Sequence, residues 1–438
     1  MKRSTGGRAA RVLCASFVAV LMFGAAACGG GDDSDAESEA TEPVTESTDT
    51  TAAASGDPLG EPNPATKAPV KVGFITDGGD CPECSDTAGE EQPAAEATVQ
   101  WANEYLGGLG GHEIELVVCV DDLDPAKATD CANQMIADGV VAVVTGASGV
   151  IESSWVVLHD AGIPFFNYSL TNAEIAEDDA SSFVMQDSES LTVSLPLGVA
   201  QDLGVDKVSV IVVNLPIATD SFGGDTPGLY EDAGIELQVV PADLGAPDMT
   251  PQAQQVVSEN PDGVVMIVGH DAFCIPAING LISAGFDGTI VTISHCVTDA
   301  MRDAIPGDVL EGMVIAANAP IGDDSDPSMQ QYQAVLETYG ADVDPEAATP
   351  LAVYSAVAAL SIGTQGLEGD VTPESVIAAM RAMPNEVLPG TGGRKFRCNG
   401  NANPEAPAVC AVSTISATLD AEGNPVSYAV VNDEPIPD

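Results

Sequence analysis

Positive charge is scarce in this chain: 13 Lys and Arg stand against 67 Asp and Glu in 438 residues, a formal net charge of −54. Such a surface repels a phosphate backbone at every approach, which excludes nucleic acid as a partner. Aromatic residues are also few, at 4%; the two tryptophans, Trp101 and Trp155, fall in helical patterns, so no stacked platform for a sugar ring is evident. No run of about 20 apolar residues occurs beyond the N-terminus, so the body of the chain is expected to be water-soluble. Histidine is limited to His112, His159, His270 and His295. Neither H-E-x-x-H nor G-x-S-x-G nor P-loop spacing occurs, so no metal or cofactor is expected and enzymatic chemistry has little to work with. What is present, 45% hydrophobic and 18% charged residues, suits two to three folded domains rather than a disordered chain.

The N-terminus carries Lys2, Arg3, Arg8 and Arg11 ahead of an apolar run from Val12 to Ala27. That is the pattern of an export signal, too short for a comfortable membrane span. The run ends in Gly24-Ala25-Ala26-Ala27-Cys28, which resembles the lipobox of bacterial lipoproteins. Residues 1–27 are therefore expected to be removed and Cys28 lipidated, leaving a mature charge of −58 because four basic and no acidic residues are lost. From Gly29 to about residue 66 the chain is almost entirely Gly, Ser, Thr, Ala, Pro and ten acidic residues, with no basic residue and almost no large apolar ones. Such a segment has nothing to pack and is expected to stay extended, as a tether or as an acidic partner-binding tail.

Past Pro69 short apolar runs alternate with helical stretches, the pattern of β-α-β units around parallel sheets. Strands are expected at Val70–Ile75, Ile114–Val120, Val140–Thr145 and Pro164–Phe166. Helices are expected at Ala94–Tyr105, at Pro125–Ala137 behind Asp124 as N-cap, and at Glu152–Ala161. A second series, Val208–Val213, Ile235–Val240, Gly263–Val268, Thr289–Ile293 and Gly312–Ala316, implies a second α/β lobe. Three more helical stretches follow between residues 328 and 383, then short antiparallel strands at Lys395–Cys398, Ala411–Leu419 and Val426–Val431. His112 falls in a Gly-rich turn and His159 on a helix, whereas His270 and His295 follow strands, where open α/β sheets place their clefts.

Apart from Cys14 and Cys28, eight cysteines remain: Cys81, Cys84, Cys119, Cys131, Cys274, Cys296, Cys398 and Cys410. An even count in an exported chain reads as disulfides. The strand pattern favours Cys119 with Cys131, Cys274 with Cys296, and Cys398 with Cys410, leaving Cys81-Pro82-Glu83-Cys84. That C-x-x-C could be a redox pair or half of a zinc site. The acidic neighbours Asp77, Asp80, Glu83 and Asp86 would raise a thiol pKa, however, and oxidation competes with zinc, so a structural bond is expected.

The run Gly107-Gly108-Leu109-Gly110-Gly111-His112-Glu113-Ile114-Glu115-Leu116, followed by Asp121-Asp122 and Asp124-Pro125-Ala126-Lys127-Ala128, is similar to segments of the branched-chain amino-acid-binding proteins. Ala142-Val143-Val144 leading to Ser148, Gly162-Ile163-Pro164 leading to Thr171-Asn172, Ser283-Ala284-Gly285-Phe286 and Gly312-Met313 follow in the family's order, over roughly residues 69–431. These are receptors of ABC importers. The resemblance implies a type I periplasmic-binding fold: α/β, two Rossmann-like lobes joined by three crossovers, here 69–188 with 317–395 and 189–316 with 396–438. It further implies a monomer that closes on a small-molecule solute by hinge motion and docks on a permease with its ATPase, held to the membrane through Cys28. A ligand-sensing ectodomain of the same fold, presenting its closed form to a signalling partner, is the alternative.

Residue by residue, the resemblance places Ser148 and Gly149 at a ligand carboxylate, Ser169 and Thr171 at the ammonium and carboxylate, and Phe222 in the pocket wall of the second lobe. One position departs. Where amino-acid binders place an acid against the ammonium, this chain has Ser294-His295-Cys296. Asp271, or Asp77 or Asp80 of the first loop, could replace the lost charge, or the ligand could lack a free ammonium.

Overall fold

The computed structural model describes residues 56–438 apart from 79–86, 147, 171, 188, 215–218, 225, 244, 270 and 432–434. The export signal, Cys28, most of the tether, Asp80 and the Cys81/Cys84 pair lie outside the described residues.

The first lobe is built on β1 (Lys67–Thr76), β2 (His112–Val120), β3 (Ala142–Thr145), β4 (Phe165–Leu170) and β5 (Ser182–Asp187). All run parallel in the order β2-β1-β3-β4-β5. The second uses β6 (Lys207–Val213), β7 (Glu236–Ala242), β8 (Val264–Val268), β9 (Thr289–Ile293) and β10 (Val314–Ala317). A small antiparallel pair, β11 (Glu386–Val387) and β12 (Lys395–Phe396), comes next, and β13 (Thr414–Leu419) and β14 (Pro425–Val431) complete the chain's strands. The second sheet reads β14-β13-β10-β9-β8-β6-β7, parallel except for β13 and β14. Both lobes thus share one winding, in which the first strand of each lies between the second and the third.

Burial explains why these runs became strands. Val208, Val210, Ile211 and Val212 are fully buried, as are Val264, Val265, Met266 and Ile267, because helices cover both faces of a parallel sheet. The expected N-cap is observed: Asp124 accepts from Ala126 N–H at 2.8 Å, with Pro125 beginning the helix Pro125–Asp138. Three of the scarce aromatics pack together where helices meet. Trp101 stacks on Tyr354 with ring centroids 5.6 Å apart, Tyr332 lies 5.0 Å from Tyr354, and Trp101 Nε1 donates to the Leu59 carbonyl. Trp155 is also buried, donating to Ser182 Oγ at 2.9 Å.

Helices Pro327–Thr338, Ala348–Gly363 and Pro373–Ala382 return to the core of the first sheet, and β13 and β14 return to the second, so the chain passes between lobes three times. One segment departs from the boundary expected at residue 396: Phe396, Cys398, Cys410 and Ala411 are buried in the first lobe's core. The reason is main-chain pairing. Val184 N–H donates to Ala408 O at 2.8 Å and Cys410 N–H to Val184 O at 2.7 Å, so the segment covers the open edge of β5. The bonds Cys119–Cys131, Cys274–Cys296 and Cys398–Cys410 are formed as the spacing suggested. Among the described residues, no helix is long and apolar enough to cross a membrane.

Candidate functional site

In open α/β sheets ligands gather beyond the carboxyl ends of the strands, where loops and helix starts supply polar groups. At the end of β1, Thr76 Oγ1 donates to Glu91 Oε2 at 2.6 Å, and both side chains are fully buried. Gly146, directly after β3, leaves room for that carboxylate: a Cβ there would stand 1.9 Å from Glu91 Oε2. Gly146→Ala is therefore expected to cost about 1–3 kcal/mol by overpacking, read as a lower urea midpoint at unchanged slope. A midpoint equal to the parent's would mean that Glu91 moves aside freely.

Asp121, at the end of β2, is buried and accepts from Leu123 N–H at 2.9 Å and from Ser148 Oγ at 3.1 Å. Burial pushes its carboxyl pKa up, opposed by those two hydrogen bonds. The turn after it is held open by left-handed backbone at Asp122 and Leu123, with φ of 51° and 56°. Ser148 Oγ also accepts from Val150 N–H at 3.2 Å, so this hydroxyl both caps the turn and anchors to Asp121. Gly149 lies beside Leu123 in the same turn, and Ser169 pairs in register with Gln186 on β5.

A cavity of about 400 Å³ is lined from both lobes. The first lobe contributes Asn172, Gln186 and Asp187, the crossover after β5 Glu189, and the second lobe Phe222 and Val268, while Asn403, Glu405 and Val409 come from the segment closed by Cys398 and Cys410. Burial raises the pKa of Asp187 against hydrogen bonds from Glu189 N–H and Asn403, and burial together with Asp187 and Glu405 raises that of Glu189. Phe222 is 4% exposed, so it serves the core of the second lobe as well as the cavity wall. A second cavity of about 580 Å³ is lined by Ser294 with Arg302, Asn318, Glu346 and Tyr428.

Of the residues expected from sequence, Phe222 lines the first cavity and Ser294 the second, whereas Ser148, Gly149 and Ser169 line neither. Thr171 and the side chains of Asp271 and His295 lie outside the described residues. The sequence reading did not reach Gln186, Asp187, Glu189 and Glu405. The rule applied to the other strand ends holds for β5 too, and the Asn- and Pro-rich span between Cys398 and Cys410 was the remaining pointer.

Two lobes of one winding, contributing opposite walls to one cavity, define a bilobal binding fold. The Periplasmic binding protein family model matches residues 69–413, and the chain belongs to that family. A leucine-, isoleucine-, valine-, threonine- and alanine-binding protein of Pseudomonas aeruginosa is 26% identical over 294 residues, covering 66% of this chain and 76% of that protein. A branched-chain amino acid transporter substrate binding protein of Streptococcus pneumoniae, solved in complex with isoleucine, superposes with a TM-score of 0.55 at 15% identity, covering 83% of this chain and 99% of its own. An ABC-transporter solute binding protein of R. palustris, solved with 4-hydroxybenzoate, gives a TM-score of 0.59 at 19% identity, covering 84% and 98%. Members of the family bind small-molecule solutes, work with ABC transporters and are not enzymes, and membership implies export.

Proposed function

We propose that the mature protein is a lipid-anchored receptor of an ABC importer that takes a small polar solute, an amino acid or a derivative of one, between its lobes and delivers it to a permease as a closed monomer. The cavity lined by Asn172, Gln186 and Asp187 of the first lobe and Phe222 and Val268 of the second carries this reading, because relative motion of the lobes would open and close it. On this reading the first lobe comprises 69–188 with 317 to about 412, and the second 189–316 with the remainder. Ser148, Gly149, Ser169, Thr171, Asp271, His295 and Asp80 stay candidates for the rim that closure brings to the solute.

Small-angle scattering of the full chain tests the motion. Adding the bound solute is expected to lower the radius of gyration, and an unchanged radius at saturation would sink the hinge reading. For the anchor, acyl chains gain about 0.8 kcal/mol per buried methylene, so two or more chains on Cys28 hold the protein at a membrane. Cys28→Ser is expected to move it from the membrane fraction to the soluble fraction. Equal partition of both forms would leave the tether without an anchor.

A further inference from the structure

Asp187 and Gln186 give the first cavity a chemistry of its own. Glu177, Asp187, Glu189 and Glu405 line it, and among the described residues no lysine, arginine or histidine does. Behind it, Arg394 is fully buried, and its Nη1 donates to Gln186 Oε1 at 3.3 Å and to Tyr168 Oη at 3.2 Å. A guanidinium only donates, so it fixes which end of the Gln186 amide faces it: Oε1 toward Arg394, Nε2 away. Gln186 is fully buried and its Nε2 has no hydrogen-bond partner among the described residues. Val184 and Gln186 share one face of β5 by the period of two, and both line the cavity. The wall therefore offers several acceptors for a cation and, on Gln186, one buried donor left without a partner among the described residues.

The geometry points to a solute of net positive charge: a side-chain ammonium or guanidinium group among Asp187, Glu189 and Glu405, with an acceptor oxygen of the same molecule on Gln186 Nε2. This rests on the solute-binding reading above and narrows it, placing the counter-charge on the first lobe and the disulfide-closed segment rather than after β9. Crowding of Glu189 by Asp187 and Glu405, together with burial, already holds its pKa up, a strain that a cation relieves. A metal ion fits less well, since among the described residues no three His, Cys, Asp or Glu converge to hold one.

Isothermal titration calorimetry on the full chain tests this with L-arginine, L-lysine, putrescine, L-isoleucine and 4-hydroxybenzoate, at ~0.15 M salt, where generic attraction is screened beyond ~8 Å. Arginine or lysine is expected to bind one-to-one, at least about tenfold tighter than isoleucine and 4-hydroxybenzoate. Either should also bind tighter than putrescine, which brings no acceptor for Gln186. Glu405→Gln should weaken that binding by about tenfold or more, while Glu231→Gln, an exposed carboxylate elsewhere, leaves it unchanged. Tight binding of isoleucine or 4-hydroxybenzoate without the cations overturns the inference and leaves the solute-binding reading standing. Weak cation binding that is equal in both variants reports only the net charge of −54 and also overturns it. If none of the five binds, the inference falls too, and the scattering experiment with a wider panel then decides the solute-binding reading separately.

Discussion

Arg381→Met is expected to lower stability by about 3–5 kcal/mol and to weaken solute binding as well. From the helix Pro373–Ala382 the guanidinium reaches three separate pieces of chain. Its Nη1 donates to the carbonyls of Cys398 and Pro407, both at 3.0 Å, and its Nη2 to those of Asp179 at 2.9 Å and Ser182 at 3.3 Å. The same group lies 4.6 Å from the centroid of the Phe183 ring. Burial pulls the arginine's pKa down, with Asp178 and Asp179 opposing, and a guanidinium stays charged regardless. Methionine fills much of the volume but leaves those carbonyls without their donor, and the charged bonds lost are worth about 1.5–3 kcal/mol each before non-additivity reduces the sum. Arg381→Lys should recover only part of the loss, because one ammonium cannot span the fork. Affinity falls for a second reason: only the disulfide and main-chain pairing with β5 would hold the segment that presents Asn403 and Glu405. Urea unfolding reads the first effect and titration with the bound solute the second. An unchanged urea midpoint would show that main-chain pairing between residues 408–411 and β5 suffices.

Why this clasp escaped the sequence while both lobes did not is a matter of which interactions leave a local pattern. Val208–Val213 and Gly263–Val268 are continuous apolar runs, and burial on both faces is their only requirement. The strand Ser182–Asp187 is buried just as deeply, yet it begins with Ser and ends with Gln and Asp. Ser182 Oγ and Gln186 Oε1 accept from Trp155 and Arg394, which are distant in sequence, so neither periodicity nor composition marks the strand. The assignment of residues after 395 to the second lobe fails for the same reason: the next long apolar run is β13, whereas 396–411 is held by Arg381 and by pairing with Val184. Disulfide partners were legible because each pair sits at adjacent strand ends or across one short segment. Ser148 and Phe222 were named through the family resemblance, and the hydrogen bond of Ser148 to Asp121 depends on the neighbouring order of β2, β1 and β3, which only the assembled sheet supplies.

The other large effect is expected at Asp178, in the turn that leads into β5. Its carboxylate is buried and accepts from Ser182 Oγ at 2.7 Å, Ser181 Oγ at 2.8 Å, Ala180 N–H at 2.8 Å and His159 Nδ1 at 3.2 Å. Ser182 Oγ in turn accepts from Trp155 Nε1 at 2.9 Å, so one charge ties the helix Ile151–Asp160 to the start of β5. Burial alone would raise the Asp178 pKa, but the Ser182 hydroxyl, the Ala180 N–H, the Ser181 hydroxyl and His159 together outweigh it and hold the carboxyl below its ordinary value. A folded-state pKa below the unfolded one means that the ionised form stabilises the fold. The contribution is complete above the unfolded value of about 3.9 and is lost as pH falls through the lower folded value. Asp178→Ala should cost about 3–5 kcal/mol at neutral pH, since it strands several buried donors. Asp178→Asn should cost less, and its deficit should shrink as pH drops toward the folded pKa, where the parent carboxyl is itself neutral; a pH-independent deficit would show that packing, not charge, matters there. Arg381 grips the Asp179 and Ser182 carbonyls of the same turn, so the losses at 178 and 381 should combine to less than their sum. Strict additivity would mean that the turn is held twice over, by two independent fastenings rather than one network.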